Sequence, residues 1–199
     1  GLYPDVGASW FLNRMPAGCG LFLGLTGASI NAADAKFIGL ADNFLLHERK
    51  DALLQKLLGI NWGDTIALNH QKLSDVLRSE EDQCRTQMPL SNIRPHQGDI
   101  EALAKHDSLQ SVIAAVNAMQ GEDKWLQKAK ESLAYGSPIT AHIVFELLKL
   151  GQSKILADSF RLELGLSVQC GKLGEFTEGV RALLIDKDQK PNWRYKTVS

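Results

Sequence analysis

A mainly helical chain with at most one short strand is the fold class that this sequence predicts. Apolar residues recur at three- and four-residue spacing through most of its 199 residues, and only Phe44–Leu46 has the short, bounded apolar pattern of a strand. Helix starts and stops (Asn31, Ser137-Pro138, Gly39, Gly121, Gly151, Gly174) punctuate the rest. With 44% hydrophobic and 23% charged residues, the chain has enough apolar surface to fold rather than stay disordered.

The elements follow in order. Ser9–Met15 and Cys19–Leu25 are mostly apolar, with Pro16 and Gly18 between them, and read as two short buried helices joined by a turn. Residues 31–39 form a helix capped by Asn31 and stopped at Gly39. Phe44–Leu46 is the one candidate strand. Leu53, Leu54, Leu57 and Leu58 share a helix face, as do Ile66, Leu73, Val76 and Leu77 in the next segment. The stretch 78–98 is polar, with Pro89, Pro95 and the acidic run Glu80-Glu81-Asp82, and is expected as a long loop. Leu109, Val112, Ile113, Val116 and Met119 give a clear amphipathic stripe. Ser137 then caps a helix with Pro138 in its first turn. Ile155–Cys170 and Glu175–Ile185 complete the set, separated by Gly171 and Gly174.

Several function classes start with little support. The balance of 22 Lys+Arg against 23 Asp+Glu, net charge -1, provides no general basic field for a nucleic acid. No apolar run approaches the roughly 20 residues of a membrane helix. Cys19, Cys84 and Cys170 are far apart and lack metal-pair spacing, so no metal site is expected and a reducing cytosol or matrix fits best. His47, His70, His96, His106 and His142 are scattered and read as surface or packing residues. No phosphate-cradling loop, nucleophile elbow or zinc-ligand helix motif is present.

The unusual segment is Gly1-Leu-Tyr-Pro-Asp-Val-Gly7. Pro4 fixes φ for a turn, Gly7 permits close backbone approach, and Asp5 lies between them where the turn feeds a helix. Asp5 then either caps that helix or is a rigidly held carboxylate that orders water or accepts a substrate hydroxyl. The chain opens on this turn without an initiator Met, so it is expected to be part of a longer protein.

That opening segment, together with Phe11-Leu-Asn-Arg14, Gly20-Leu-Phe-Leu-Gly-Leu-Thr-Gly27, Ala33-Asp34 and Gly39-Leu-Ala-Asp42, resembles the middle of a crotonase-superfamily (enoyl-CoA hydratase/isomerase) domain. The closing stretch Glu178-Gly-Val-Arg-Ala-Leu-Leu-Ile-Asp-Lys-Asp-Gln-Lys-Pro-Asn-Trp193 is similar to the C-terminal signature of the 3-hydroxyisobutyryl-CoA hydrolase branch. The resemblance implies a mainly α segment of a crotonase (ββα spiral) fold: residues 1–46 as the end of the spiral core and 47–199 as the C-terminal helical region.

It also implies a thioesterase acting on short β-hydroxyacyl-CoA, chiefly 3-hydroxyisobutyryl-CoA of valine breakdown. Coenzyme A would enter as part of the substrate rather than as a cofactor. Asp5 is the implied catalytic residue, assisting a Glu and two oxyanion-hole amides that would lie upstream of Gly1. Without that N-terminal half, the segment is expected to be inactive and to expose an apolar face where the missing sheet would pack. Tyr3 and Trp10 are candidates to line the acyl pocket, and Lys187 and Lys190 to meet CoA phosphates, while Arg181 and Asp186 are expected to pair structurally. The implied partners are an acyl-CoA, the N-terminal half of the same protein and other copies of the chain, in the cytoplasm or, for a eukaryote, the mitochondrial matrix. One departure stands out: the family usually continues Asp-Val-Gly with a further Gly, whereas this chain has Ala8-Ser9. An enoyl-CoA hydratase or isomerase, and a non-catalytic helical remnant serving as an interaction module, are the alternatives.

Overall fold

The computed structural model describes residues 2–198. Its α-helices are α1 (Ala8–Phe11), α2 (Cys19–Thr26), α3 (Ala32–Phe37), α4 (Lys50–Leu58), α5 (Ile66–Cys84) and α6 (Gln97–Leu103). They continue as α7 (Leu109–Ala118), α8 (Lys124–Tyr135), α9 (Pro138–Gly151), α10 (Leu156–Leu173) and α11 (Glu175–Val180). Two units each have their own packing: Gly1–Ser29 with His96–Ser199, and Ile30–Pro95.

In the larger, discontinuous unit, Tyr3, Ala8 and Leu12 pack on Val144, Leu147 and Leu148 of α9 and on Cys170 of α10. The α7 stripe behaves as its spacing predicts: Leu109, Val112 and Val116 are buried, and Ser108 caps the helix by accepting the Ser111 N–H. Phe22 is fully buried against Trp125, ring centroids 5.4 Å apart. Complete burial of such side chains stabilises by about 1.5–3 kcal/mol each. Close helix contacts demand glycine: a Cβ on Gly151 would come within 2.2 Å of the Ser9 carbonyl oxygen. Ser137 caps α9 with Pro138 in the first turn, as its Ser-Pro dipeptide predicts.

The smaller unit has little buried apolar surface and is pinned by two carboxylates. Asp34 and Asn31 form a reciprocal capping box on α3. The Asp34 carboxylate is fully buried and accepts from the Asn31 N–H (3.0 Å), Ser91 Oγ (2.6 Å), Asn92 Nδ2 (2.9 Å) and the Ile93 N–H (3.0 Å). Burial alone would raise its pKa; the four donors outweigh it and hold the group below the ordinary carboxylate value. On α5, Glu80 is buried between Lys56 and Arg49, which lower its pKa.

Three expectations are corrected. Phe44–Leu46 forms no strand; among the described residues no strand exists for it to pair with. The polar stretch expected as a loop from Arg78 is helical through Cys84, because Glu80 and Glu81 are neutralised by Arg49, Lys56 and Lys36 and no Gly or Pro intervenes before Pro89. In the last segment, α10 runs through Gly171 to Leu173 with Gly174 as its C-cap, and α11 gives way at Arg181–Ile185 to a wider π turn, closed by the Asp186 N–H on the Arg181 carbonyl (2.8 Å).

Candidate active site

Pro4 directs the chain into a turn in which two consecutive residues are left-handed: Val6 at φ 51° and Gly7 at φ 89°. Glycine accepts this conformation; a β-branched valine does so only when its surroundings enforce it. Here they do. Gly7 stands at the N-cap of α1 and has no side chain with which to cap, and the Glu163 carboxylate of α10 takes over that role. Glu163 Oε2 accepts the Gly7 N–H (2.7 Å), and Oε1 accepts the Ser9 N–H (2.9 Å) and Ser9 Oγ (2.6 Å). The Tyr3 hydroxyl donates to the Glu163 carbonyl, leaving its oxygen to accept from Ser167 Oγ at 2.9 Å. The helix preference for negative charge at its N-terminus adds to these bonds.

Asp5 is therefore not the cap of α1. Its backbone carbonyl accepts the Ala8 N–H (3.1 Å), while its half-buried carboxylate takes no hydrogen bond or ion pair among the described residues. What remains is a negatively charged oxygen pair on a turn fixed from both sides, able to accept a hydrogen bond from a water or a hydroxyl. The Ser9 hydroxyl, next to the Ala8 that stands in place of a further Gly, is one of the donors that hold Glu163.

Beside this turn lies an apolar groove of about 550 Å³. Its lining includes Tyr3, Pro4, Gly24, Gly27, Phe176 and Trp193. Such a groove suits an apolar chain or a thin flexible linker better than a charged group. Tyr3 is 2% exposed with its hydroxyl held by α10, and burial pushes its phenol pKa up.

The other sequence candidates lie apart from the groove. Trp10 is half-buried beneath the Arg14 guanidinium, 3.7 Å above its ring centroid, and is not part of the groove wall. Lys187 and Lys190 are exposed in the loop after the π turn. That loop is organised by Arg181, which pairs with Glu178, Asp186 and Asp188, so the expected Arg181–Asp186 pair is one part of a larger cluster. The Arg181 guanidinium and the Asn192 N–H hold the Glu178 carboxyl down at a pKa of about 2.

The residue that the sequence reading missed is Glu163. A signal for it exists in α10, where Ser159, Glu163 and Ser167 recur every four residues as a polar stripe between leucines. All three belong to a helix whose adjacent edge carries Leu156, Phe160, Leu164 and Val168, 42–68% exposed. With Val6, 74% exposed, these residues supply the open apolar face that was expected.

Residues 1–199 match the family described as enoyl-CoA hydratase/isomerase. A mitochondrial 3-hydroxyisobutyryl-CoA hydrolase of Danio rerio is 34% identical over 202 residues, covering 100% of this chain and 50% of the relative. A small ribosomal subunit protein, mS47, of Neurospora crassa is 31% identical over 209 residues, covering 100% of this chain and 41% of the relative. Among solved structures, an enoyl-CoA hydratase from Rhodobacter sphaeroides is 28% identical with a TM-score of 0.75, covering 100% of this chain and 52% of that one. The chain spans about half the length of the curated relatives it matches.

Proposed function

Because the chain belongs to the enoyl-CoA hydratase/isomerase family and forms a mainly α segment of its crotonase fold, we propose that the protein containing it hydrolyses a short β-hydroxyacyl-CoA thioester of the 3-hydroxyisobutyryl type. The observation that carries this reading is the Asp5 carboxylate, without a hydrogen bond or ion pair among the described residues, on an enforced turn whose preceding residues Tyr3 and Pro4 line an apolar groove. The relatives named 3-hydroxyisobutyryl-CoA hydrolase support it at the level of the reaction.

In this reading, water adds to the thioester carbonyl and the C–S bond breaks. The proton given up by water ends on the CoA thiolate, leaving a carboxylic acid and free CoA. Asp5 accepts a hydrogen bond from the substrate 3-hydroxyl or from the attacking water and so holds it in line with the carbonyl. The groove beside Tyr3 and Pro4 takes the apolar part of the substrate. An N-terminal segment of the same protein supplies the remaining carboxylate and the oxyanion-binding amides, and packs on the apolar edge of α10. Valine breakdown is the process this substrate belongs to, in the mitochondrial matrix or the cytoplasm; relatives named as mitochondrial favour the former.

The test supplies 3-hydroxyisobutyryl-CoA to the full native chain and follows free thiol alongside enoyl absorbance. Thiol release supports the hydrolase, whereas a change in enoyl absorbance without thiol supports a hydratase or isomerase. One observation favours a second reading, a non-catalytic assembly component: the similarity to mS47 is nearly as strong as that to the hydrolases. Absence of both signals together with stable association in a large particle supports that reading.

A further inference from the structure

We infer that Glu163 is the positioning residue for Asp5. The inference rests on the thioesterase reading for its catalytic consequence, but not for its geometry. Glu163 and Asp5 do not bond to each other. They are coupled through the two left-handed residues between Asp5 and the α1 N-terminus. Glu163 Oε2 fixes the Gly7 amide at 2.7 Å, while Oε1 fixes both donors of Ser9 at 2.9 and 2.6 Å. Its backbone carbonyl fixes the hydroxyl of Tyr3 on the other side of Asp5. Asp5 thus sits in a short bridge whose two ends are tied to one residue of α10.

Several features show that the bridge is held rather than relaxed. Val6 keeps a left-handed conformation that its β-branched side chain disfavours, and at 74% exposure its side chain gains little from packing there. The Glu163 carboxylate, by contrast, is 3% exposed and has both oxygens occupied by donors of this turn. A buried carboxylate with no cationic partner is costly unless its hydrogen bonds compensate. Removing it frees the Gly7 and Ser9 donors, lets Val6 return to an extended conformation and releases the Asp5 carboxylate from the position in which the turn holds it.

The experiment is a double-mutant cycle in the full native chain, using Glu163→Gln, Asp5→Asn and the double variant, with Ser9→Ala as a milder probe that removes only the hydroxyl bond. Thiol release from 3-hydroxyisobutyryl-CoA gives kcat and KM, and the 13C shifts of Val6 report its backbone conformation. Glu163→Gln is expected to lower kcat at least tenfold with KM changed less than threefold, and Ser9→Ala to lower it two- to fivefold. The double variant should be no slower than Asp5→Asn alone, and Val6 should shift toward extended values in Glu163→Gln. Multiplicative losses in the double variant, or an unchanged Val6 in Glu163→Gln, overturn the proposal. If Glu163→Gln fails to fold, the same cycle is read with Ser9→Ala. If the unmodified chain releases no thiol, the hydrolase reading falls, and the Val6 shift alone decides whether Glu163 sets the turn.

Discussion

Val6 holds a conformation worth about 1–3 kcal/mol of strain for a non-glycine residue, and it does so next to the Asp5 carboxylate, which takes no hydrogen bond or ion pair among the described residues. Because Val6 is largely exposed, Val6→Gly gives up little buried area while removing the strain. The substitution should raise unfolding stability by about 0.5–1 kcal/mol, read from chemical denaturation. Asp5→Asn keeps the shape of the side chain but loses a charge-assisted hydrogen bond worth about 1.5–3 kcal/mol, so kcat/KM for thioester hydrolysis by the full chain should fall roughly 10- to 100-fold. Asp34, Glu80 and Glu178 all have pKa values below those of an unfolded chain. For groups of this kind the unfolded state takes up protons first as the pH drops, so their stabilisation is complete above the ordinary carboxylate values and is lost on acidification. For Glu178 the loss runs from about 4.5 down to about 2. Denaturation at pH 7 and pH 3.5 should show this decline, and Asp34→Asn should lower stability at pH 7 while flattening the acid limb. At this scale Asp5 was legible because Pro4 and Gly7 bracket it. Glu163 was not, because its donors lie more than 150 residues away in sequence.

Helix ends were the most readable elements, since a cap is a local device: Asn31 and Ser137 both cap where the sequence predicts a start. The stretch from Arg78 to Cys84 was misread because its acidic run looks like solvated loop until the cations that neutralise it are brought from Lys36, Arg49 and Lys56. Length and spacing cannot reveal such partners. Ser137 joins two elements: its Oγ accepts the Thr140 N–H at 3.3 Å and donates to Glu175, whose other oxygen accepts the Arg194 N–H at 2.8 Å. Ser137→Ala should therefore cost about 1 kcal/mol as a lost cap and also speed hydrogen exchange at the Arg194 amide. A cap confined to α9 would leave that amide unchanged.

Over the whole chain, the apolar edge of α10 is the feature that composition could not locate, although the resemblance implied that one exists. Leu156, Phe160, Leu164 and Val168 recur every four residues beside a polar stripe, so α10 has two buried-type faces and only one is covered within this chain. The segment on its own is expected to bind a hydrophobic dye and self-associate; Phe160→Lys with Leu164→Lys should reduce both. In the full native chain the same pair should destabilise the protein, by about 1.5–3 kcal/mol for each apolar side chain whose burial is lost. If the pair is silent there, the edge is not covered by the upstream segment. The discontinuity of the larger unit has a further consequence, for synthesis. Tyr3 must wait for Glu163, 160 residues later, which at ribosomal rates is a delay of about 8–30 seconds. Ile30–Pro95 is continuous and can fold as it emerges. Through that interval the nascent turn carrying Asp5 has no anchor, and its apolar neighbours Leu2, Tyr3 and Val6 are open to a chaperone.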